Sequence, residues 1–211
     1  MAPSSVKPVL VIIGPTASGK TDLAIKTALK WNGEVICADS RTVFQEMDIG
    51  TAKPSLEERR GVVHWGLDLT KPGQRFSAAE FQAYAKQKIA QIQSRGKMPI
   101  VVGGTGLYVD GLVFDYQFPD KPSKQQRQLF ENMDQDELYK YCLNNNIMLP
   151  VNDKNKRHLI AAALRGNRQG RRKSQPKHKH YVVGITTNKQ VLRRNIELRT
   201  EHMFEDGVVE E

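Results

Sequence analysis

Short apolar runs alternate with longer amphipathic stretches along this chain. Val9–Ile13 is apolar and largely β-branched, and it runs directly into Gly14. Such a run, bounded by a glycine loop, predicts a central parallel strand buried on both faces. A helix is expected from Lys20 to about Trp31. Glu34–Ala38 reads as a second strand, which delivers Asp39 and Ser40 to its carboxyl end. Ser77-Ala-Ala-Glu80 has capping-box spacing and opens an alanine-rich helix to about Arg95, closed by Gly96. Pro99–Val102 reads as a third buried strand ending at Gly103-Gly104-Thr105-Gly106.

From Asp115 to Pro150 the chain becomes polar, with scattered Leu, Phe and Tyr and with Pro119, Pro122 and Pro150 as punctuation. A small helical insertion is expected there, followed by a helix over Lys156–Arg165 and a basic loop. Tyr181–Ile185 returns as a strand, and Thr187 is expected to cap a last helix from Lys189 to about Phe204, ended by Gly207. Strands alternating with helices predict an α/β fold, a P-loop NTPase-like doubly wound parallel sheet with a small helical insertion. The expected organisation is a core over 1–115, an insertion over 116–165, and a basic loop, strand and helix over 166–211.

Composition narrows the class. The 211 residues are 39% hydrophobic and 26% charged, globular values that suit one main core. No apolar run is long enough to span a bilayer, and the first residues lack the pattern of a secretory signal, so a soluble cytoplasmic protein is expected. Cys37 and Cys142 are the two cysteines, at a spacing that suggests neither a disulfide framework nor a zinc site. The formal charge is +9, which favours a polyanionic partner. Arg165, Arg168, Arg171, Arg172, Lys173, Lys177 and Lys179 cluster with no acid among them, a distribution suited to nucleic acid as well as to a merely basic surface.

The most specific motif is Gly14-Pro15-Thr16-Ala17-Ser18-Gly19-Lys20-Thr21, which satisfies GxxxxGK[ST] between a predicted strand and a predicted helix. Its backbone N–H groups can turn inward around phosphate oxygens at a helix N-terminus, and Lys20 adds a positive charge. The Thr21 hydroxyl suits Mg²⁺ bridging phosphate oxygens on a diphosphate leaving group. Asp39 is placed to take a proton, to bind metal-held water, or merely to cap a turn. Thr105 could hydrogen-bond across the same edge. Asp48–Pro54 could line that edge, although its composition alone describes a turn.

Taken together, GPTASGKT, ADSRTVFQEMDIGTAKP, FSAAEF and PIVVGGTGLYV resemble the tRNA dimethylallyltransferase (isopentenyltransferase) family. The likeness is dense over 9–113 and resumes in NDKNKRHLIAAAL and in the segment from Val182 to Glu211. It implies transfer of a dimethylallyl group from dimethylallyl diphosphate to the exocyclic amine of the adenosine immediately 3′ of the tRNA anticodon. It further implies a P-loop that holds the prenyl diphosphate, Asp39 as general base, and Thr105 near the attacking amine. Arg199 matches a diphosphate-binding arginine. Asp39, Ser40, Arg41 and Thr42 match the segment holding the flipped-out adenine. Arg127 and the stretch Lys156, Arg157, His158, Leu159 and Ile160 match tRNA-contacting positions.

The chain departs from the family pattern in having Thr42 for a glutamine, Phe44 for a tyrosine and Asn195 for an arginine. Family members also continue past the point matching Glu211, so the expectation is a C-terminally shortened relative that acts as a monomer. Competing readings are an adenylate isopentenyltransferase, a P-loop small-molecule kinase, and an RNA-binding module without catalysis.

Overall fold

The computed structural model describes residues 7–119, 122–168, 171–175 and 180–211. The elements in chain order are β1 (Val9–Ile13), α1 (Lys20–Trp31), β2 (Gly33–Cys37), β3 (His64–Trp65), α2 (Ala78–Ser94), β4 (Met98–Gly103), α3 (Gly106–Val113), α4 (Lys124–Asn132), α5 (Gln135–Asn144), α6 (Lys156–Arg165), β5 (His180–Gly184) and α7 (Lys189–Glu205). The five strands form one sheet in the order β3-β2-β4-β1-β5. Every pairing is parallel, so all carboxyl ends reach the same edge.

Alternation along the strands sorts the core into two layers, because successive side chains in a strand point to opposite faces. Val9 and Val11 of β1, Ile36 of β2 and Val101 of β4 pack with Phe81, Ala85 and Ile92 of α2 and Tyr108 and Leu112 of α3. Their neighbours Leu10, Ile12, Val35, Cys37, Ile100 and Val102 pack with Ala24, Ile25 and Ala28 of α1. Helices therefore cover both faces, as a doubly wound sheet requires. Phe81 stacks on Tyr108 with ring centroids 4.3 Å apart, and truncating such a fully buried ring costs about 3–5 kcal/mol.

Local signals fix the helix starts. Ser77 accepts from Glu80 N–H while Glu80 reaches back to Ser77 N–H, the reciprocal capping box expected of α2. The last helix is capped by Asn188, whose side chain accepts from Gln190 N–H, and not by Thr187. Both are good cap residues, but α7 starts at Lys189, so Asn188 holds the N-cap position.

The chain divides into two compact units, one of residues 1–115 with 173–211 and one of 116–172. The second is built from α4, α5 and α6 around Phe130, Leu138, Cys142, Ile147, Leu159, Ala162 and Ala163. In the first unit, β5 leaves Val182 and Val183 48% and 43% exposed at the sheet edge, and α7 has no buried residue. Among the described residues, no helix is long and apolar enough to cross a membrane.

Candidate active site at the carboxyl edge of the sheet

The site begins where β1 ends. Gly14–Gly19 forms the loop and Gly19 caps α1 with φ of 80°, a left-handed backbone that glycine adopts without strain. Ala17 within the loop is also left-handed, at φ 60°, which in a residue with a Cβ costs energy that the surrounding fold must supply. The Lys20 ammonium donates to Pro15 O at 3.0 Å, folding the side chain back over the loop. Ser18 Oγ is buried without a hydrogen-bond partner. A donor or acceptor left this way in a phosphate-shaped loop is available to a ligand oxygen.

Two contacts join the other strand ends to this loop. A Cβ at Gly104 would lie 4.0 Å from Lys20 Nζ and 3.4 Å from Gly14 O, so the loop after β4 closes on the P-loop. A Cβ at Gly103 would come within 2.1 Å of Ala38 O, so glycine is required there for β2 and β4 to end side by side. After β2, Ser40 N–H donates to Thr105 Oγ1 at 3.0 Å, and the Thr105 hydroxyl lies 3.3 Å from Ser40 Oγ. Thr105 is the N-cap of α3 by position but makes no side-chain cap bond, its oxygen being engaged with Ser40. Asp39 Oδ1 accepts from Arg41 N–H at 2.8 Å, which orients the carboxylate.

Electrostatics tie these residues together. Burial lowers the Lys20 pKa, the Asp39 carboxylate opposes that shift, and Arg199 reinforces it. Arg199 is likewise lowered by burial, with Asp39 acting against it. One carboxylate thus stands within the field of two partly desolvated cations. Burial pushes the neighbouring Cys37 thiol up to about 12, so it is inert as a nucleophile near neutral pH.

A crevice of about 1110 Å³ opens from the P-loop. Its walls are Ala17–Asp22, the segment from Asp48 to Arg60, and Asn195, Arg199 and His202 of α7. Asp39 and Thr105 stand outside this lining, and Asp39 is tied to it through its charge on Lys20. The Asp48–Pro54 segment is a turn, pinned by Lys53, whose buried ammonium is bonded to Asp48, to Asp68 at 2.6 Å and to Phe44 O at 2.9 Å. The contacts of Asn195 and Glu211 join residues more than 160 positions apart, which no local pattern reveals, and Lys53 lies in a segment whose composition describes only a turn.

The remaining candidate residues fall in different places. Thr42 is only 6% exposed, and its hydroxyl oxygen has no partner. Arg127, Lys156, Arg157, His158, Leu159 and Ile160 belong to the second unit. Arg127 pairs with Glu131 at 3.8 Å and Lys156 donates to Glu131 O at 2.9 Å. Leu159 is fully buried in that unit's core, so its side chain serves packing. Ile160 packs partly against the same core. Of the basic cluster, Arg168 donates to Leu164 O at 2.9 Å and Lys173 pairs with Asp115 at 3.0 Å. Lys177 and Lys179 lie outside the described residues.

No group of three or more His, Cys, Asp or Glu side chains suited to a metal occurs among the described residues. Mg²⁺ commonly binds with one or two protein oxygens and completes its shell from phosphates and water. The Thr21 hydroxyl at the start of α1 fits that mode.

Fold and site define a P-loop α/β protein shaped for a phosphate-bearing ligand. A family model described as IPP transferase matches residues 42–211. The tRNA dimethylallyltransferase of Anoxybacillus flavithermus is 39% identical over 96% of this chain and 69% of its own length. That of Acetivibrio thermocellus is 37% identical over 96% of this chain and 70% of its own length. Among solved structures, the tRNA isopentenylpyrophosphate transferase of Bacillus halodurans has a TM-score of 0.68 and 31% identity, covering 95% of this chain and 67% of that one. A eukaryotic dimethylallyltransferase acting on tRNA has a TM-score of 0.77 and 25% identity, covering 97% and 54%. The chain belongs to the IPP transferase family.

Proposed function

We propose that this chain transfers a dimethylallyl group from dimethylallyl diphosphate to the exocyclic amine of the adenosine 3′-adjacent to the tRNA anticodon. The observation that carries the reading is Asp39, a single carboxylate held by Arg41 N–H within the field of Lys20 and Arg199. The amine nitrogen attacks C1 of the dimethylallyl group, the C1–O bond breaks, and diphosphate leaves with the bonding electrons. Asp39 takes the proton released by the amine. Lys20, Arg199 and the inward N–H groups of Gly14–Thr21 hold the diphosphate and stabilise the charge it gains on leaving. Thr21 would hold Mg²⁺, which when bound neutralises part of that charge.

The adenine must leave its stack for its amine to reach carbon. Arg41 is exposed to meet a backbone phosphate. Thr105 and Ser40 supply hydroxyls beside Asp39. The exposed bases Lys156, Arg157 and His158 on α6 and the cluster from Arg165 to Lys173 favour tRNA over a free nucleotide as acceptor. The protein acts in the cytoplasm as a monomer.

Replacing Asp39 with Asn tests the assignment, because it preserves size and the bond from Arg41 N–H while removing the base. Transfer should fall by about 100-fold or more, with tRNA binding kept. Undiminished transfer would rule out Asp39 as the base.

A further inference from the structure

The helix that carries Arg199 has a weak apolar attachment to its own unit. None of the residues of α7 is buried, and Val191, Ile196 and Leu198 are 41–50% exposed. Its placement rests on polar contacts at both ends of the crevice. At one end, Asn195 Nδ2 donates to Ala17 O at 3.2 Å, grasping the P-loop at its left-handed residue. At the other, the chain turns at Gly207, with φ of 89°, and brings the Glu211 carboxylate onto three successive backbone N–H groups. Asp48 N–H donates to Glu211 Oε1, as does Ile49 N–H at 2.7 Å, and Gly50 N–H donates to Oε2 at 2.9 Å.

Successive N–H groups in such a turn form a concave anion receptor. Lys53 makes this one rigid by anchoring Asp48 to Asp68 and to Phe44 O. Gly50 leaves room for the carboxylate, since a Cβ there would lie 3.3 Å from Glu211 Oε2 and from Val208.

We infer that Asn195 and Glu211 are positioning residues: two clasps that hold α7 across the crevice and thereby keep the Arg199 guanidinium over the phosphate loop. The inference rests on the diphosphate reading of that site. Without a clasp, α7 samples arrangements in which Arg199 is away from the loop, and diphosphate affinity falls by the fraction of chains left competent. The tRNA-facing residues of the other unit take no part.

The test is calorimetric titration of the full chain with Mg²⁺ and inorganic pyrophosphate, comparing wild type, Asn195→Ala, Glu211→Ala, Glu211→Gln and each combined with Arg199→Ala. Each alanine variant should weaken binding about three- to tenfold, and the glutamine variant less, because it keeps an acceptor oxygen. In the Arg199→Ala background, the clasp substitutions should add nothing, a non-additivity that general loosening of the fold would not produce. In transfer assays KM for dimethylallyl diphosphate should rise, with KM for tRNA unchanged. Wild-type affinity in the single variants, or losses that add fully to that of Arg199→Ala, would overturn the clasp while leaving the diphosphate site intact. No pyrophosphate binding by the unaltered chain would overturn the diphosphate reading and the clasp with it.

Discussion

Ser40 and Thr105 are 65 residues apart, yet Ser40 N–H donates to Thr105 Oγ1 at 3.0 Å. That bond couples the loop carrying Asp39 to the loop that closes on Lys20. Thr105→Val keeps the shape of the side chain but removes the acceptor, leaving Ser40 N–H unpaired in a part-buried position. The loss should be about 1–3 kcal/mol in transition-state stabilisation, or about 5- to 150-fold in kcat/KM. Thr105→Ser should restore most of it. Steady-state kinetics on the two variants decides, and valine kinetics equal to wild type would remove Thr105 from the site.

Diphosphate affinity should depend on alkaline pH through Lys20. Burial holds its pKa below the ordinary lysine value of 10.5, with Asp39 partly offsetting the shift and Arg199 adding to it. The charged form binds the diphosphate, so affinity should fall as pH rises through the lowered pKa, earlier than for a solvated lysine. The stability of the unliganded protein has the opposite sign. Between the lowered folded value and the unfolded one, the unfolded chain binds more protons, so this group's contribution rises with pH. Pyrophosphate titration across that range, with Lys20→Arg as the flat control, measures the effect.

Much of the frame was legible because its signals are local. The P-loop spacing, the apolar runs of β1, β2 and β4 and the Ser77–Glu80 box each lie within a few residues. β3 was not legible: it is two residues long, and its Trp65 is committed to Glu34 and to Lys88, whose ammonium lies 3.8 Å from the ring. Nor was α3, where Gly106, Gly111 and β-branched Val109 and Val113 disfavour helix. Packing of Tyr108, Val109 and Leu112 on α2 imposes it, with Gln82 Nε2 donating to Gly111 O at 2.6 Å. Leu159 reads as part of a basic segment, yet the helical period turns it inward between exposed His158 and partly buried Ile160. The clasps of α7 span more than 160 residues and leave no local pattern.

Glu34 should make the fold sensitive to acid. Its side chain is 4% exposed and meets Arg95 at 2.7 Å and Lys97 at 3.0 Å, with Trp65 Nε1 donating to it at 2.7 Å. Burial alone would raise its pKa. The bonds from Trp65 and Lys97 and the charges of Arg95 and Lys97 outweigh that and hold it below the ordinary 4.5. A lowered carboxylate contributes stability above its unfolded pKa and loses it as pH falls through the folded one. Glu34→Gln should therefore cost about 1–3 kcal/mol near neutrality, less than a fully buried pair because both cations are partly solvated. The gap in melting temperature from wild type should close at acid pH, and a pH-independent gap would contradict the account.

Affinity for tRNA should fall steeply with salt, because lysines and arginines on phosphates release counterions. Each contact contributes about 0.7–0.9 to the slope of log affinity against log salt. Alanine at Arg157, Arg165 or Arg171 should lower that slope by about one each. Filter binding across a salt series measures it, and an unchanged slope in all three variants would exclude the basic residues from the interface.

Incubating the purified chain with Mg²⁺ and dimethylallyl diphosphate labelled in the prenyl group, with unmodified tRNA or AMP as acceptor, tests the transferase assignment. Label should enter tRNA, at the adenosine 3′ of the anticodon, and Asp39→Asn should transfer none. Label in AMP alone, or in neither acceptor, would contradict it.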